Sequence, residues 1–223
     1  MTKRFKLILA VRFTGYLFLL TGIFGLIIFF FPIIQTELDY RFGVIKGIKR
    51  VVDPSPTPKP IGFGDITATS QPETMIIPTS TDFGIVIEKI NANARVIPEV
   101  SVISEREYSE ALKLGVAHAK GSNFPGEVGN IYLFSHSTDA PWNIIRYNAV
   151  FYLLRELKEG DKIVMFYRGR RFDYTVFDKV VVNSNETTYL TNKYDKSVLT
   201  LQTCDPPGTT FRRLLVRAKL AGT

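Results

Sequence analysis

The stretch Ser197-Val198-Leu199-Thr200-Leu201-Gln202-Thr203-Cys204 alternates along most of its length and ends in the only cysteine of the chain. Successive side chains of a strand point to opposite faces. The pattern therefore predicts a half-buried strand with Cys204 at its end. Asp205-Pro206-Pro207-Gly208-Thr209-Thr210 reads as a turn, and a second strand opens at Arg212-Arg213. The chain holds two histidines, and one of them, His136, closes another apolar strand, Ile131-Tyr132-Leu133-Phe134-Ser135. A thiol, an imidazole and a guanidinium at strand ends are the groups of cysteine-based acyl transfer. They supply the nucleophile, the proton carrier and the cation that stabilises an oxyanion.

Outward from this centre, further strands are predicted over 84–90, 94–97, 130–135, 162–167, 172–182 and 213–220. Short helices are predicted over 107–114, stopped by Gly115, and over 148–157, where Phe151, Leu154 and Leu157 share a face. Seven or eight strands joined by short loops, with two short helices, fit a mainly antiparallel closed barrel. The expected fold is mainly β, preceded by one transmembrane helix.

That helix is carried by residues 13–34, a run of 22 without a charge. About 20 apolar residues span a bilayer core. The run ends in Pro32-Ile33-Ile34-Gln35-Thr36-Glu37, a poor cleavage site, so it is read as an anchor that is retained. Four basic residues precede it (Lys3, Arg4, Lys6, Arg12) and four follow closely (Arg41, Lys46, Lys49, Arg50). Charge alone nearly ties. The leading cluster sits on a very short tail, which favours a cytoplasmic N-terminus and an external domain.

Residues 35–52 mix apolar and basic side chains and leave three readings open, a helix on the membrane surface, a structured leader or a disordered stem. Asp53-Pro54-Ser55-Pro56-Thr57-Pro58-Lys59-Pro60 is an extended spacer. The expected order is a basic tail (1–12), an anchor (13–34), a Pro/Ser/Thr-rich stalk (35–81) and a catalytic domain (82–223). The net charge of +7 is concentrated at the membrane end. This argues against a nucleic-acid partner, whose binders gather charge on the folded domain.

The segment Thr200-Leu201-Gln202-Thr203-Cys204 resembles the TLxTC motif of the sortases, membrane-anchored cysteine transpeptidases of bacterial surfaces. Arg213 follows nine residues later, where that family places an arginine at the start of the next strand. Pro125-Gly126-Glu127-Val128-Gly129-Asn130-Ile131-Tyr132-Leu133-Phe134-Ser135-His136 resembles the segment bearing the family's histidine. Leu157-Lys158-Glu159-Gly160-Asp161-Lys162-Ile163 and Tyr174-Thr175-Val176 resemble its later strands. The resemblance covers about residues 83–220. It implies an eight-stranded barrel that cleaves an LPxTG-like C-terminal sorting signal through a thioacyl-enzyme. The acyl group would then pass to an amine of the cell wall or of another surface subunit. It implies Cys204 as nucleophile, His136 as general acid and base, and Arg213 as the stabilising cation. The partners it implies are surface proteins carrying the signal, an amine acceptor and the membrane.

Within the site, Thr203 and Ser137 are candidates for the groove wall, with ordinary strand hydroxyls as the alternative. His118 is the competing base, but it is read in a loop after the helix rather than at a strand end. Arg212 has the wrong parity and Arg217 lies too far from the turn. Trp142 is a candidate contact or a packing residue. No His, Cys and Asp spacing suits a transition metal, and no cofactor is expected. Glu105, Glu107 and Glu110 are read as surface carboxylates rather than a calcium site. A hydrolytic cysteine peptidase with the same trio, and a scaffold without activity, are the rival functions. An L,D-transpeptidase is disfavoured by Gln202 and Thr203 in place of a glycine before the cysteine.

Overall fold

The computed structural model describes residues 3–52, 74–137 and 150–222. Thirteen helices and strands follow one another in it. They are α1 (Lys3–Ile45), β1 (Arg50–Val52), β2 (Thr74–Ile76), β3 (Phe83–Ile87), β4 (Ala92–Val100), α2 (Glu105–Leu114), β5 (Val116–Ala119), β6 (Gly129–Phe134), β7 (Lys162–Tyr167), β8 (Arg170–Asn183), α3 (Thr188–Thr191), β9 (Ser197–Asp205) and β10 (Arg212–Leu220).

Eight strands close a barrel in the order β10-β8-β7-β3-β4-β5-β6-β9. The pairs β4–β5 and β6–β9 are parallel, and the other pairs are antiparallel. Alternation decides what each wall does. Ile131 and Leu133 of β6, Leu199 and Leu201 of β9, and Leu214 and Val216 of β10 point inward and join one buried cluster. Burying each such side chain stabilises by about 1.5–3 kcal/mol. The residues between them face out, where Tyr132, Phe134 and Leu215 form a second cluster with Leu112 of α2.

Local chemistry sets the boundaries. At the β7–β8 hairpin, Arg168 and Gly169 both take positive φ, the two-residue turn that matches strand twist. Helix α2 begins at Glu105, two residues before its predicted start, because Ser104 caps it by accepting from the Glu107 amide. The predicted helix over 148–157 contracts, within the described residues, to a single 3-10 turn, Leu154–Glu156. Phe151, Leu154 and Leu157 are all fully buried, so the segment plugs the barrel instead of lying along it. His118 is on strand β5, not in a loop. Helix α3 was not foreseen.

The described N-terminal region is more ordered than a stalk. Helix α1 continues past the expected end of the anchor to Ile45. Lys3–Phe31 is long and apolar enough to cross a membrane, and no residue of its most apolar window is buried in the described structure. Beyond it the helix meets the barrel. Glu37 Oε2 pairs with Arg155 Nη2 at 3.3 Å, and Tyr40 packs against the interior cluster. Then β1 pairs in parallel with β2. Val52 and Ile76 bury themselves on Val86, Val164 and Phe166, the outward residues of β3 and β7. The Val52 amide donates to Glu88 Oε1 at 2.9 Å. The proline-rich spacer, and Trp142, lie outside the described residues.

Candidate active site

Strand β9 is flanked by β6 on one side and β10 on the other. Cys204 pairs directly with Arg213. On the other side the last ladder pair is Phe134 with Gln202. The Ser135 amide extends that contact by donating to the Gln202 carbonyl at 3.1 Å. His136 follows, two residues beyond Phe134, as Cys204 follows Gln202. His136, Cys204 and Arg213 therefore occupy one row across three adjacent strands, on the outer face that also carries Tyr132, Phe134 and Leu215.

The two threonines of β9 hold this row in place. Thr200 Oγ1 donates to Asn130 Oδ1 at 2.8 Å, and Thr203 Oγ1 donates to the Ser135 carbonyl at 2.9 Å. Both bonds tie β9 to β6, the second at the point where the backbone ladder ends. Asn130 in turn donates to the Tyr189 carbonyl at 2.9 Å, which fastens α3 beside the site.

The row opens into a cleft of about 460 Å³ whose lining includes Cys204, His136, Arg213 and Thr203, within the usual size range of ligand pockets. Its floor includes Tyr132 and Gln202, whose side chains are hydrogen-bonded to each other. Tyr108 and Leu112 of α2 form one wall, and Glu186, Thr187 and Leu190 belong to another. Burial raises the Tyr132 hydroxyl well above its ordinary value, against a smaller lowering by the Arg213 charge, so Tyr132 stays a neutral donor. Glu186 accepts from the Thr188 amide at 2.9 Å, and hydrogen bonds from Thr188 hold its carboxyl below the usual range.

Arg213 Nη1 lies 3.6 Å from Cys204 Sγ and donates to the Thr210 carbonyl at 3.2 Å. A guanidinium is charged at any physiological pH, so the sulfur has a fixed cation beside it. The neighbouring arginines are used otherwise. Arg212 pairs with Asp205 at 3.2 Å. Arg217 donates to Asp178 at 2.9 Å and to the Tyr194 hydroxyl at 3.2 Å.

Of the other sequence candidates, Ser137 is buried outside the cleft lining. Its hydroxyl has no hydrogen-bond partner among the described residues. His118 is wholly buried between Phe83 and Phe124. Its Nδ1 accepts from the Glu99 amide at 3.2 Å, and its Nε2 faces the Asn123 carbonyl at 3.0 Å. Both ring nitrogens are committed to the fold. Among the described residues no three His, Cys, Asp or Glu side chains gather as metal ligands. Glu107 accepts from the Ser101 amide and Glu110 pairs with Lys113. Tyr132 and Gln202 escaped the sequence reading, although counting back in twos from His136 and Cys204 reaches both.

The sortase domain family matches residues 85–221. Sortase D of Bacillus subtilis (strain 168) is 29% identical over 120 residues, 54% of this chain and 52% of that protein. The match thus spans about half the length of that relative. A Clostridium perfringens Sortase D5 transpeptidase superposes with a TM-score of 0.52 at 25% identity, over 63% of this chain and 79% of that one. Sortase C-1 from Actinomyces oris gives 0.54 at 27% identity, over 63% and 74%. Sortase A from Corynebacterium diphtheriae gives 0.54 at 27%, over 64% and 61%. With a family match across most of the chain, a closed eight-stranded barrel and a cysteine at the end of its central cleft strand, this protein belongs to the sortase family.

Proposed function

We propose that this chain is a membrane-anchored cysteine transpeptidase acting on surface proteins that carry an LPxTG-like C-terminal signal. The observation that carries the reading is the single row of His136, Cys204 and Arg213 in one cleft, with Arg213 Nη1 3.6 Å from the sulfur. The helix over Lys3–Phe31 supplies the anchor. The N-terminus is cytoplasmic and the barrel external in this reading.

The chemistry runs in two balanced steps. Cys204 Sγ, as thiolate, attacks the scissile carbonyl and forms an S–C bond. The oxygen takes the negative charge and is stabilised by Arg213. When the intermediate collapses, the C–N bond breaks and His136 gives its proton to the leaving amine. The result is a thioester on Cys204. An incoming amine, from the cell wall or another surface subunit, loses its proton to His136 and forms the new amide. Sulfur leaves as thiolate. Water in place of the amine gives hydrolysis through the same thioester.

The test uses the full-length protein in vesicles with a panel of LPxTG-like peptides, read by mass spectrometry with and without an added amine. The expected result is a thioacyl adduct on Cys204 and an amine-captured product. A folded protein that forms no adduct with any peptide would overturn the proposal. An adduct resolved by water alone, whatever amine is offered, would replace transfer with hydrolysis.

A further inference from the structure

Strand directions place the anchor and the catalytic row at one end of the barrel. From the parallel and antiparallel pairings around the ring, the C-terminal ends of β3, β6, β8 and β9 share a rim with the N-terminal ends of β4, β5, β7 and β10. Cys204, His136 and Arg213 are on that rim. So is the turn Glu88–Ile90 after β3, where Lys89 pairs with Asp161 at 2.7 Å just before β7. Helix α1 reaches this same rim. Glu37 pairs with Arg155, and Tyr40 packs against the interior cluster.

The distance to the bilayer is short. Tyr40 follows Phe31, the end of the apolar stretch, by nine residues, about 14 Å of helix. No residue in the most apolar window of α1 is buried, so the helix leaves the domain from this rim. Lys46, Lys49 and Arg50 follow the span and suit anionic headgroups. The rim also carries a large apolar side chain turned outward. Phe211, in the β9–β10 turn between the cleft residues Thr210 and Arg213, is 75% exposed. Aromatic rings favour the membrane–water interface.

We propose that the barrel is seated with its catalytic rim against the bilayer, Phe211 in the interfacial layer, so that Cys204 takes peptides presented at the membrane surface. The seating stands on topology, contacts, exposure and charge, none of which depends on catalysis. Its consequence for substrate rests on the transpeptidase reading above.

The first experiment is independent of catalysis. Cys204→Ala removes the only thiol, and Phe211→Cys or Val128→Cys then places a single environment-sensitive fluorophore on the full-length chain in vesicles. Val128 precedes β6 at the opposite rim and is 64% exposed. Quenching by lipids with spin labels near the headgroup is expected at position 211 and absent at 128. Equal quenching at both positions, or stronger quenching at 128, overturns the proposal.

A second experiment reads function. Two helical turns inserted between Thr36 and Glu37 lift the rim by about 10 Å while nearly preserving helical phase. Cleavage of a peptide tethered to the vesicle by a short spacer is expected to fall about tenfold as its effective concentration at the site drops. Cleavage of the same peptide free in solution should be unchanged. Equal loss or equal retention of both activities overturns the seating. A parent protein that cleaves neither peptide defeats the transpeptidase reading, and the fluorophore result then decides the seating alone.

Discussion

Two walls of the same barrel face outward in opposite ways. On β3 and β7, the outward residues Val86, Val164 and Phe166 are sealed by Val52 and Ile76 of β1 and β2. On β6, β9 and β10, the outward residues include Tyr132, Gln202, Cys204 and Arg213, and that wall is left open as a cleft. In the ring order, β3 and β9 are four strands apart in either direction, so the two walls are diametrically opposed. The comparison separates two uses of one geometry. A covered outer face adds burial and so stability, whereas an uncovered one holds reactive groups at fixed spacing and gives up the burial.

If that division is right, substitutions on the open wall should change rate and substitutions on the covered wall should change stability. Cys204→Ala has the largest expected effect, complete loss of the thioacyl adduct and of product. Its unfolding free energy should stay within about 1 kcal/mol of the parent; a larger drop would make the open wall structural as well. Arg213→Lys keeps the charge but loses the planar fork. It should cost roughly a hundredfold in kcat/KM, and a near-normal rate would remove Arg213 from the chemistry.

Val52→Ala tests the covered wall. Chemical denaturation should show a loss of about 2 kcal/mol, with kcat/KM for a soluble peptide unchanged. A rate defect without destabilisation would mean that the two walls communicate. The smallest effect belongs to His118. Burial lowers its pKa from 6.5, so the neutral ring contributes stability in full above that value. The contribution is lost as pH falls below 6.5 and the ring must take a proton. Thermal melts of the parent from pH 7.5 down to 5 should fall more steeply than those of His118→Gln, whose baseline is itself lower. Parallel slopes would assign the acid sensitivity elsewhere.

The open wall was legible in the sequence because β9 is long and alternates through Leu199-Thr200-Leu201-Gln202, a parity that carries on to Cys204. Parity alone puts Cys204 and Thr203 on different faces, and distinguishes Arg213 from Arg212. The covered wall was not legible. β1 and β2 have three residues each and begin 24 positions apart. Their burial depends on a surface that does not exist until the barrel forms. His118 was misread as a loop residue because β5 is four residues long, with alanines on both sides of it, so no alternation shows. The predicted helix over 148–157 failed for a related reason. Its apolar spacing was real, but Leu154 and its neighbours fill the barrel rather than present a helical face. Helix α1 ran on through Gly43 because packing and the Glu37 ion pairs support it beyond the span.

The β6–β9 pairing joins Gly129 to Ser197, across 68 positions of chain, and only the β3–β7 pairing of the ring spans a comparable distance. Such long closures are entropically costly and form slowly. His136, two residues past the last pair of that ladder, joins Cys204 in the lining of one cleft only when the seam is complete. If the chain is the transpeptidase proposed above, a chain whose barrel is incomplete carries a thiol but not the assembled set of groups that acyl transfer needs. On that reading the order of assembly acts as a safeguard, in which completing the barrel and bringing the reactive groups together are the same event.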